Sequence, residues 1–234
     1  MVKEELVQRS PLRLFEQSIH GGLKAGEIGV IASPTGVGKT SVLVQLALDK
    51  LLQGKKVIHV SFTQHTHYVL AWYEDIFEEF TGKKNLENAA EIKDGLTVNR
   101  VLMNFNQGGV TIDQIIKSLR AMIIDGGFKA DSVIIDGFDF AKTDAQNMTS
   151  VKTFATEMGV AIWYSCSVQD GDGQYDNENI PVVLSGFLSS LDVVVVLQPK
   201  CDHVELSISK DRDSIISKSM AMELDPKTLL ILEK

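Results

Sequence analysis

The sequence predicts an α/β fold built on a mostly parallel, twisted sheet with helices on both faces. Three observations support this class. Short apolar segments alternate with amphipathic ones, turn residues separate them regularly, and the end of the chain contains only strand-like segments. Because strands that alternate with helices pair in parallel, the alternating part predicts the parallel sheet. The strand-rich tail predicts antiparallel strands at the C-terminal edge.

The individual elements follow from hydrophobic spacing and from turn residues. Apolar residues three or four apart predict helices over residues 12–19, 39–53, 68–80, 111–126 and 144–158. Apolar or alternating runs predict strands over residues 27–31, 56–62, 100–105, 132–136, 160–166, 192–198, 203–209, 219–224 and 229–232. Ser10 before Pro11 is a typical helix start, and Thr111 with Gln114 forms a capping box. Residues 82–99 are polar and lysine-rich, which predicts an insertion or a mobile segment.

Length and composition indicate a globular protein with one main domain. The chain has 234 residues, of which 44% are hydrophobic and 23% charged, so it can bury a substantial core. We expect an N-terminal arm with a helix over residues 1–20 and a single domain over residues 21–234. The net charge of -8 argues against a general nucleic-acid coat protein. Cys166 and Cys201 have no metal-like spacing, and we expect a cytoplasmic protein without a membrane partner.

Residues 28–45 join a strand, a glycine-rich turn and a helix, an arrangement that suits phosphate binding. The turn fits the pattern GxxxxGK[ST], with Ser33 at the first glycine position. Glycines let backbone N–H groups converge on an anion, and the helix N-terminus adds a positive dipole end. Lys39 can reach the outer phosphates, and a glycine-rich turn with a solvated lysine is the alternative. The predicted nucleotide-binding residues are Ser33, Pro34, Thr35, Gly36, Val37, Gly38, Lys39, Thr40 and Ser41.

An acid ends the apolar strand predicted over residues 132–136. Ligands of parallel sheets bind at the carboxyl ends of the strands, so Asp136 can hold the water shell of Mg²⁺. The hydroxyl of Thr40 is the second predicted metal ligand. A simple turn-forming aspartate is the alternative interpretation of Asp136.

The string from Gly21 to Gln45 resembles the RecA superfamily, in particular KaiC-like ATPases and the ATPase domain of DnaB-type replicative helicases. Those proteins share a GGL-x-x-GE lead-in, a phosphate loop, a second strand like KVIHVSF, a third strand ending in Asp and a late K-x-R. All five features occur here in order, over about residues 15–232. The resemblance implies a RecA-like P-loop core that binds ATP with Mg²⁺. ATP rather than GTP follows from the resemblance, and the sequence has no Asn-Lys-x-Asp guanine motif.

The resemblance also implies a homo-oligomer, a ring or a filament with the nucleotide at the interface. Lys210 and Arg212 match the K-x-R pair, which in such assemblies reaches the γ-phosphate held by the neighbouring subunit. An arginine supplied in this way neutralises charge on the transferred phosphoryl group. The alternative is a charged strand tip whose bases pair with Asp211 and Asp213.

The sequence departs from the family where hydrolysis needs a base. The family has a glutamate after the second strand, where this chain has Thr63 and Gln64, and related ATPases place one where Gly137 stands. Three interpretations stay open. Gln64 orients water and hydrolysis is slow, or ATP is a structural ligand with little turnover, or another acid such as Asp139 serves. Since a catalytic base contributes about 10²–10⁴-fold, we expect weak ATPase activity.

Nucleic acid is a possible partner that the charges disfavour. In RecA-type proteins the loops after the third and fourth strands contact DNA, and here the second of them is acidic. No Lys or Arg occurs between Lys152 and Lys200, although phosphate contacts need such donors. Tyr175 alone is weak support for base stacking. We interpret His65 and His67 as solvated, and likewise the modest basic cluster of Lys83, Lys84 and Lys93.

Three functions are therefore compared. We expect a RecA-like ATP-binding protein that acts through nucleotide-dependent oligomerisation in a regulatory or scaffold role. An active DNA-dependent ATPase, a helicase-like motor in repair or replication, is the second. A partner module with a vestigial phosphate loop is the third. DNA-stimulated hydrolysis would select the second, and failure to bind ATP would select the third.

Overall fold

The structure is a computed structural model that describes residues 7–8, 10–82, 89–106, 108–169 and 174–234. Its strands are β1 (Ile28–Ser33), β2 (Val57–Ser61), β3 (Arg100–Asn104), β4 (Ser132–Asp136), β5 (Ala161–Ser167), β6 (Val193–Pro199), β7 (Val204–Asp211), β8 (Ser214–Leu224) and β9 (Ile231–Glu233). They form one sheet in the order β3-β2-β4-β5-β1-β6-β7-β8-β9. Pairing is parallel from β3 to β6 and antiparallel from β6 to β9. The predicted α/β class with its antiparallel C-terminal edge is confirmed.

Helices cover both faces of this sheet, as predicted. The described helices are α1 (Leu12–Ser18), α2 (Lys39–Leu52), α3 (Thr66–Gly82), α4 (Ala89–Val98), α5 (Ile112–Ile124) and α6 (Ala145–Met158), with short 3₁₀ turns at Phe140–Lys142 and Val182–Phe187. Buried residues of α1 to α4 pack on one face, and those of α5 and α6 pack on the other. The capping box of Thr111 and Gln114 is present, and Ser10 accepts a hydrogen bond from the Leu12 N–H.

Two element predictions need correction. Helix α4 occupies part of the segment predicted as an insertion, and it buries Leu96 in the core. Strand β8 begins at Ser214, because the turn at residues 212–213 leads directly into antiparallel pairing between Asp211 and Ser214. Lys83 and Lys84 of the basic cluster lie outside the described residues.

Helix α1 belongs to the same core as α2. Its Leu12 and Phe15 are buried, and the Phe15 ring lies 5.9 Å from the Trp163 ring on β5, measured between centroids. The Glu16 carboxylate forms an ion pair with Lys50 on α2, with 2.7 Å between Oε1 and Nζ. No helix among the described residues combines the length and the apolar character needed to cross a bilayer.

Gly29 on β1 is needed because the Trp163 ring lies directly over it. A Cβ at position 29 would lie 2.4 Å from Trp163 Cζ3. We therefore expect Gly29→Ala to lower the free energy of unfolding by about 1–3 kcal/mol through overpacking. Urea unfolding measures this change. Gly186→Ala is the matched control, since a Cβ there meets nothing within 4 Å. Equal stability of the two variants would contradict this explanation.

Candidate functional site

A cavity of about 350 Å³ lies at the carboxyl ends of the parallel strands. Its walls come from the turn after β1, the ends of β2, β4 and β5, and the segment between β8 and β9. The lining residues are Thr35, Gly36, Gly38, Lys39, Thr40, Ser41, Thr63, Gln64, Trp72, Asp136, Gly137, Ser165, Ser167 and Leu229. The volume falls within the range of small-molecule sites, about 300–1,000 Å³.

The glycine-rich turn has the backbone conformation that its glycines predict. Gly36 and Gly38 have φ values of 82° and 116°, a region that other residues rarely adopt. Gly38 also has no room for a side chain, because a Cβ there would lie 2.4 Å from Leu224 Cδ2 on β8. Helix α2 starts at the next residue, so its N-terminal N–H groups lie beside the turn. The turn therefore presents backbone donors and a positive dipole end to the cavity.

Lys39 is buried at the base of this turn. Its ammonium donates to the Ser33 carbonyl at 3.0 Å, to the Ser33 hydroxyl at 3.2 Å and to the Pro34 carbonyl at 2.8 Å. Burial lowers the pKa of the Lys39 ammonium, while the neighbouring Cys166 and Asp136 act in the opposite direction. The side chain thus supplies a cationic group to the cavity wall and braces the turn that holds it.

Thr40 and Asp136 meet across the cavity floor. The Thr40 hydroxyl donates a 2.8 Å hydrogen bond to Asp136 Oδ2, although the two residues are 96 positions apart. Asp136 itself is buried at the end of β4. No cluster of three or more His, Cys, Asp or Glu occurs in the part of the chain that the structure describes. A hydroxyl and one carboxylate suit Mg²⁺, which takes its other ligands from phosphates and water.

Thr63 and Gly137, the two positions where the ATPases that the sequence resembles carry a glutamate, lie in contact with each other. A Cβ at Gly137 would lie 2.5 Å from Thr63 Cγ2, and Gly137 has a φ of 79°. The Gly137 N–H also donates to the Ser165 hydroxyl at 2.7 Å. Position 137 therefore excludes a side chain, whereas Thr63 is exposed to the cavity.

Gln64 contributes an unpaired acceptor beside Thr63. Its Oε1 atom is buried, and no described residue donates a hydrogen bond to it. Asp136 is the one carboxylate among the described residues that line the cavity. Asp139, the other acid considered from the sequence, lines an adjacent cavity of about 400 Å³ and pairs with Lys142 at 3.3 Å. Gln64 is thus the one side-chain amide among the described residues that line the cavity.

The C-terminal strands form a wall of the cavity that the sequence did not reveal. The Leu229 carbonyl accepts hydrogen bonds from the Ser41 hydroxyl at 2.5 Å and from Gln45 Nε2 at 2.8 Å. Gln45 Oε1 in turn accepts from the Ile231 N–H at 2.9 Å. These contacts join α2 to residues more than 180 positions away, and no local sequence motif predicts them.

Lys210 and Arg212 lie at the opposite end of the sheet from the glycine-rich turn. Asp211 between them pairs with Val193 at the start of β6. Lys210 Nζ donates to the Leu191 carbonyl at 2.7 Å. Arg212 pairs with the Glu27 carboxylate at 2.8 Å and donates to the Ile19 and Gly22 carbonyls, both at 2.7 Å. Within one chain, Arg212 holds the segment that leads into β1, Lys210 holds the segment before β6, and neither lines the cavity.

The remaining sequence candidates lie at the surface. His65 and His67 are exposed beside the cavity, with ring centroids 5.9 Å apart. Of the acidic loop, Asp170 and Asp172 lie outside the described residues. Asp176 accepts the Ile180 N–H at 2.8 Å and so closes a turn.

A buried histidine under the site provides a pH test. His59 on β2 shares a 3.0 Å hydrogen bond with the Tyr73 hydroxyl, and among the described residues its Nε2 has no partner. Burial lowers the pKa of His59 from its ordinary value near 6.5 to about 4, with Asp136 opposing the shift and Arg100 adding to it. Folding therefore favours the neutral ring.

We expect the contribution of His59 to stability to be complete above pH 6.5 and to be lost as the pH falls towards 4. The loss should reach about 3 kcal/mol if the unfolded pKa is ordinary. Urea unfolding at several pH values measures it, and His59→Gln should show a shallower fall over this range. An identical pH dependence in the variant would rule out His59 as the cause.

Comparison with models of protein families gives no match to this chain. Comparison with curated proteins gives no significant match either.

Proposed function

We propose that this chain is a RecA-like ATP-binding protein that holds Mg-ATP in the cavity above β1. The observation that carries the proposal is the 2.8 Å hydrogen bond between the Thr40 hydroxyl and the Asp136 carboxylate. In P-loop nucleotide sites, a loop Ser or Thr and a strand-end aspartate together hold the magnesium ion. The buried ammonium of Lys39 supports the proposal, since it supplies positive charge for the phosphates.

The order of the strands indicates how the nucleotide lies in the cavity. Asp136, Thr63 and Gln64 belong to the side of β2 and β4, so the outer phosphates and Mg²⁺ face that side. The opposite wall carries Leu229 and leads to β8 and β9. We assign the nucleoside to this second wall. Adenine as the base follows from the family resemblance.

The site supports slow hydrolysis at most. When bound, Mg²⁺ neutralises charge on the phosphate oxygens. The Gln64 Oε1 atom is buried without a donor, so the side chain has to rotate before this atom can accept a hydrogen bond from a water molecule and orient it, and an amide cannot take the proton. Asp136 is committed to Thr40 and the metal. The expected turnover is therefore lower than in ATPases with a glutamate base by about 10²–10⁴-fold.

Nucleotide-dependent homo-oligomerisation belongs to the same proposal. Lys210 and Arg212 lie at the end of the sheet opposite to the cavity, so they could meet only the nucleotide of a neighbouring copy. Such a role requires them to exchange their contacts with Leu191 and Glu27. A nucleotide-gated assembly with low turnover suits a regulatory or scaffold protein.

Trp72 offers a direct test of binding, because it lines the cavity. Mg-ATP should change the fluorescence of the protein, and Trp72→Phe should remove the change, since the other tryptophan, Trp163, is buried elsewhere. Sedimentation of the same samples with Mg-ATP, with ADP and without nucleotide then tests assembly. Absence of any nucleotide effect, with isothermal titration also negative, would refute the binding function. Binding without assembly would refute the oligomer alone.

A further inference from the structure

The turn that carries Thr63 and Gln64 is held by side chains outside the cavity. Ser61 ends β2, and its hydroxyl accepts a 3.0 Å hydrogen bond from the Gln64 N–H. Thr63 between them packs against the backbone of Gly137. The direction of the Gln64 amide therefore depends on how firmly this turn is fixed.

Asn104 closes the same turn from the neighbouring strand. It ends β3 directly opposite Ser61 in the parallel pairing. Its Nδ2 donates to the Ser61 carbonyl at 3.1 Å and to the Gln64 carbonyl at 2.5 Å. Two carbonyl acceptors need a group with two N–H donors, which an amide has and a carboxylate lacks.

We infer that Asn104 is a positioning residue for hydrolysis, one that fixes the turn from which Gln64 reaches the cavity. It is exposed and does not line the cavity, so it acts through the turn and not on the nucleotide. The inference rests on the proposed function, because the position of Gln64 affects the rate of phosphate release only if ATP is bound in the cavity. Misplacement of a water-holding group by a fraction of an ångström is enough to reduce turnover.

Asn104→Asp tests the inference, with Asn106→Asp as the matched control. Both variants add one negative charge to an exposed position of the same segment. Among the described residues, the Asn106 side chain has one hydrogen bond, which it accepts from the Gly108 N–H at 3.0 Å, so aspartate preserves this contact. Asn104→Ala serves as a second variant without added charge, in case the charge alone prevents folding.

Two quantities are measured for each variant: phosphate release at saturating Mg-ATP, and the ratio of the affinities for ATP and ADP. Asn104→Asp and Asn104→Ala should lower the rate of phosphate release by about 10-fold. Both variants should also reduce the preference for ATP over ADP, while their affinity for ADP stays within about twofold of that of the unaltered protein. Thr63→Glu would place a carboxylate base on the same turn. Adding Asn104→Asp to that variant should remove most of any increase in phosphate release that Thr63→Glu produces.

The outcomes separate this inference from the proposed function. If the unaltered protein binds both nucleotides and the Asn104 variants match Asn106→Asp in both quantities, the inference is wrong and the proposed function survives. If the Asn104 variants lose ATP and ADP binding equally while Asn106→Asp keeps both, Asn104 is merely structural and the inference is wrong. If the unaltered protein binds neither nucleotide, the proposed function fails and takes this inference with it.

Discussion

Lys39→Met should weaken Mg-ATP binding by about 100-fold or more, because it removes the charged donor of the phosphate loop. Hydrogen bonds to charged groups contribute about 1.5–3 kcal/mol each, so the loss of one or two of them accounts for this factor. The fold should persist, since methionine has a similar length and removes a buried charge whose desolvation is costly.

Isothermal titration measures the affinity, and thermal unfolding confirms that the variant is folded. Lys117→Met is the control, because Lys117 is exposed on α5, away from the cavity. Unchanged affinity in a folded Lys39→Met protein would mean that the glycine-rich turn does not bind the nucleotide.

Thr63→Glu should raise the rate of phosphate release by about 100-fold, because it supplies the missing general base. Thr63 is exposed at the cavity wall, so a longer side chain can extend towards the outer phosphates without displacing the core. The neighbouring Gln64 would then hold the same water molecule. The gain should appear at saturating ATP, as an increase in kcat.

The matched control is Gly137→Glu, which adds the same carboxylate at the second position where the ATPases that the sequence resembles carry a glutamate. Its φ of 79° and the 2.5 Å approach of Thr63 predict a destabilised protein without a gain in turnover. Gln64→Ala in the Thr63→Glu protein should remove part of the increase. A Thr63→Glu protein that binds ATP and releases phosphate no faster than the parent would show that the missing base is not what limits turnover.

Much of the fold could be predicted because its signals are local. The parallel strands are apolar runs, and helices such as α5 carry an apolar stripe with a capping box. Helix α4 was missed because charged residues and Gly95 separate its apolar positions, although Ile92 and Leu96 lie four residues apart and both pack on the core. The first half of β8 was missed because it is mostly exposed and lacks the alternation of a half-buried strand.

The residues of the site that could be predicted are likewise those with a local sequence signal. Lys39 and Thr40 belong to one motif, and Asp136 ends an obvious buried strand, so their convergence follows from parallel topology. The bracing of Gln64 by Asn104 and the contact of Leu229 with α2 join distant segments without any motif. The contacts of Arg212 with Glu27 were also invisible in sequence, because a strand-end arginine has the same local pattern whether it binds its own chain or a neighbour.

The most direct test of the central claim is a single-turnover experiment with ATP labelled at the γ-phosphate. Protein in excess is mixed with labelled Mg-ATP, and bound nucleotide and released phosphate are followed in the same sample. We predict that the label binds and is then released slowly, at about 0.1 per second or less, which is about 100-fold below the median enzyme turnover of about 10 per second. No bound label would contradict the site, and release at an ordinary enzymatic rate would contradict the loss of the catalytic base.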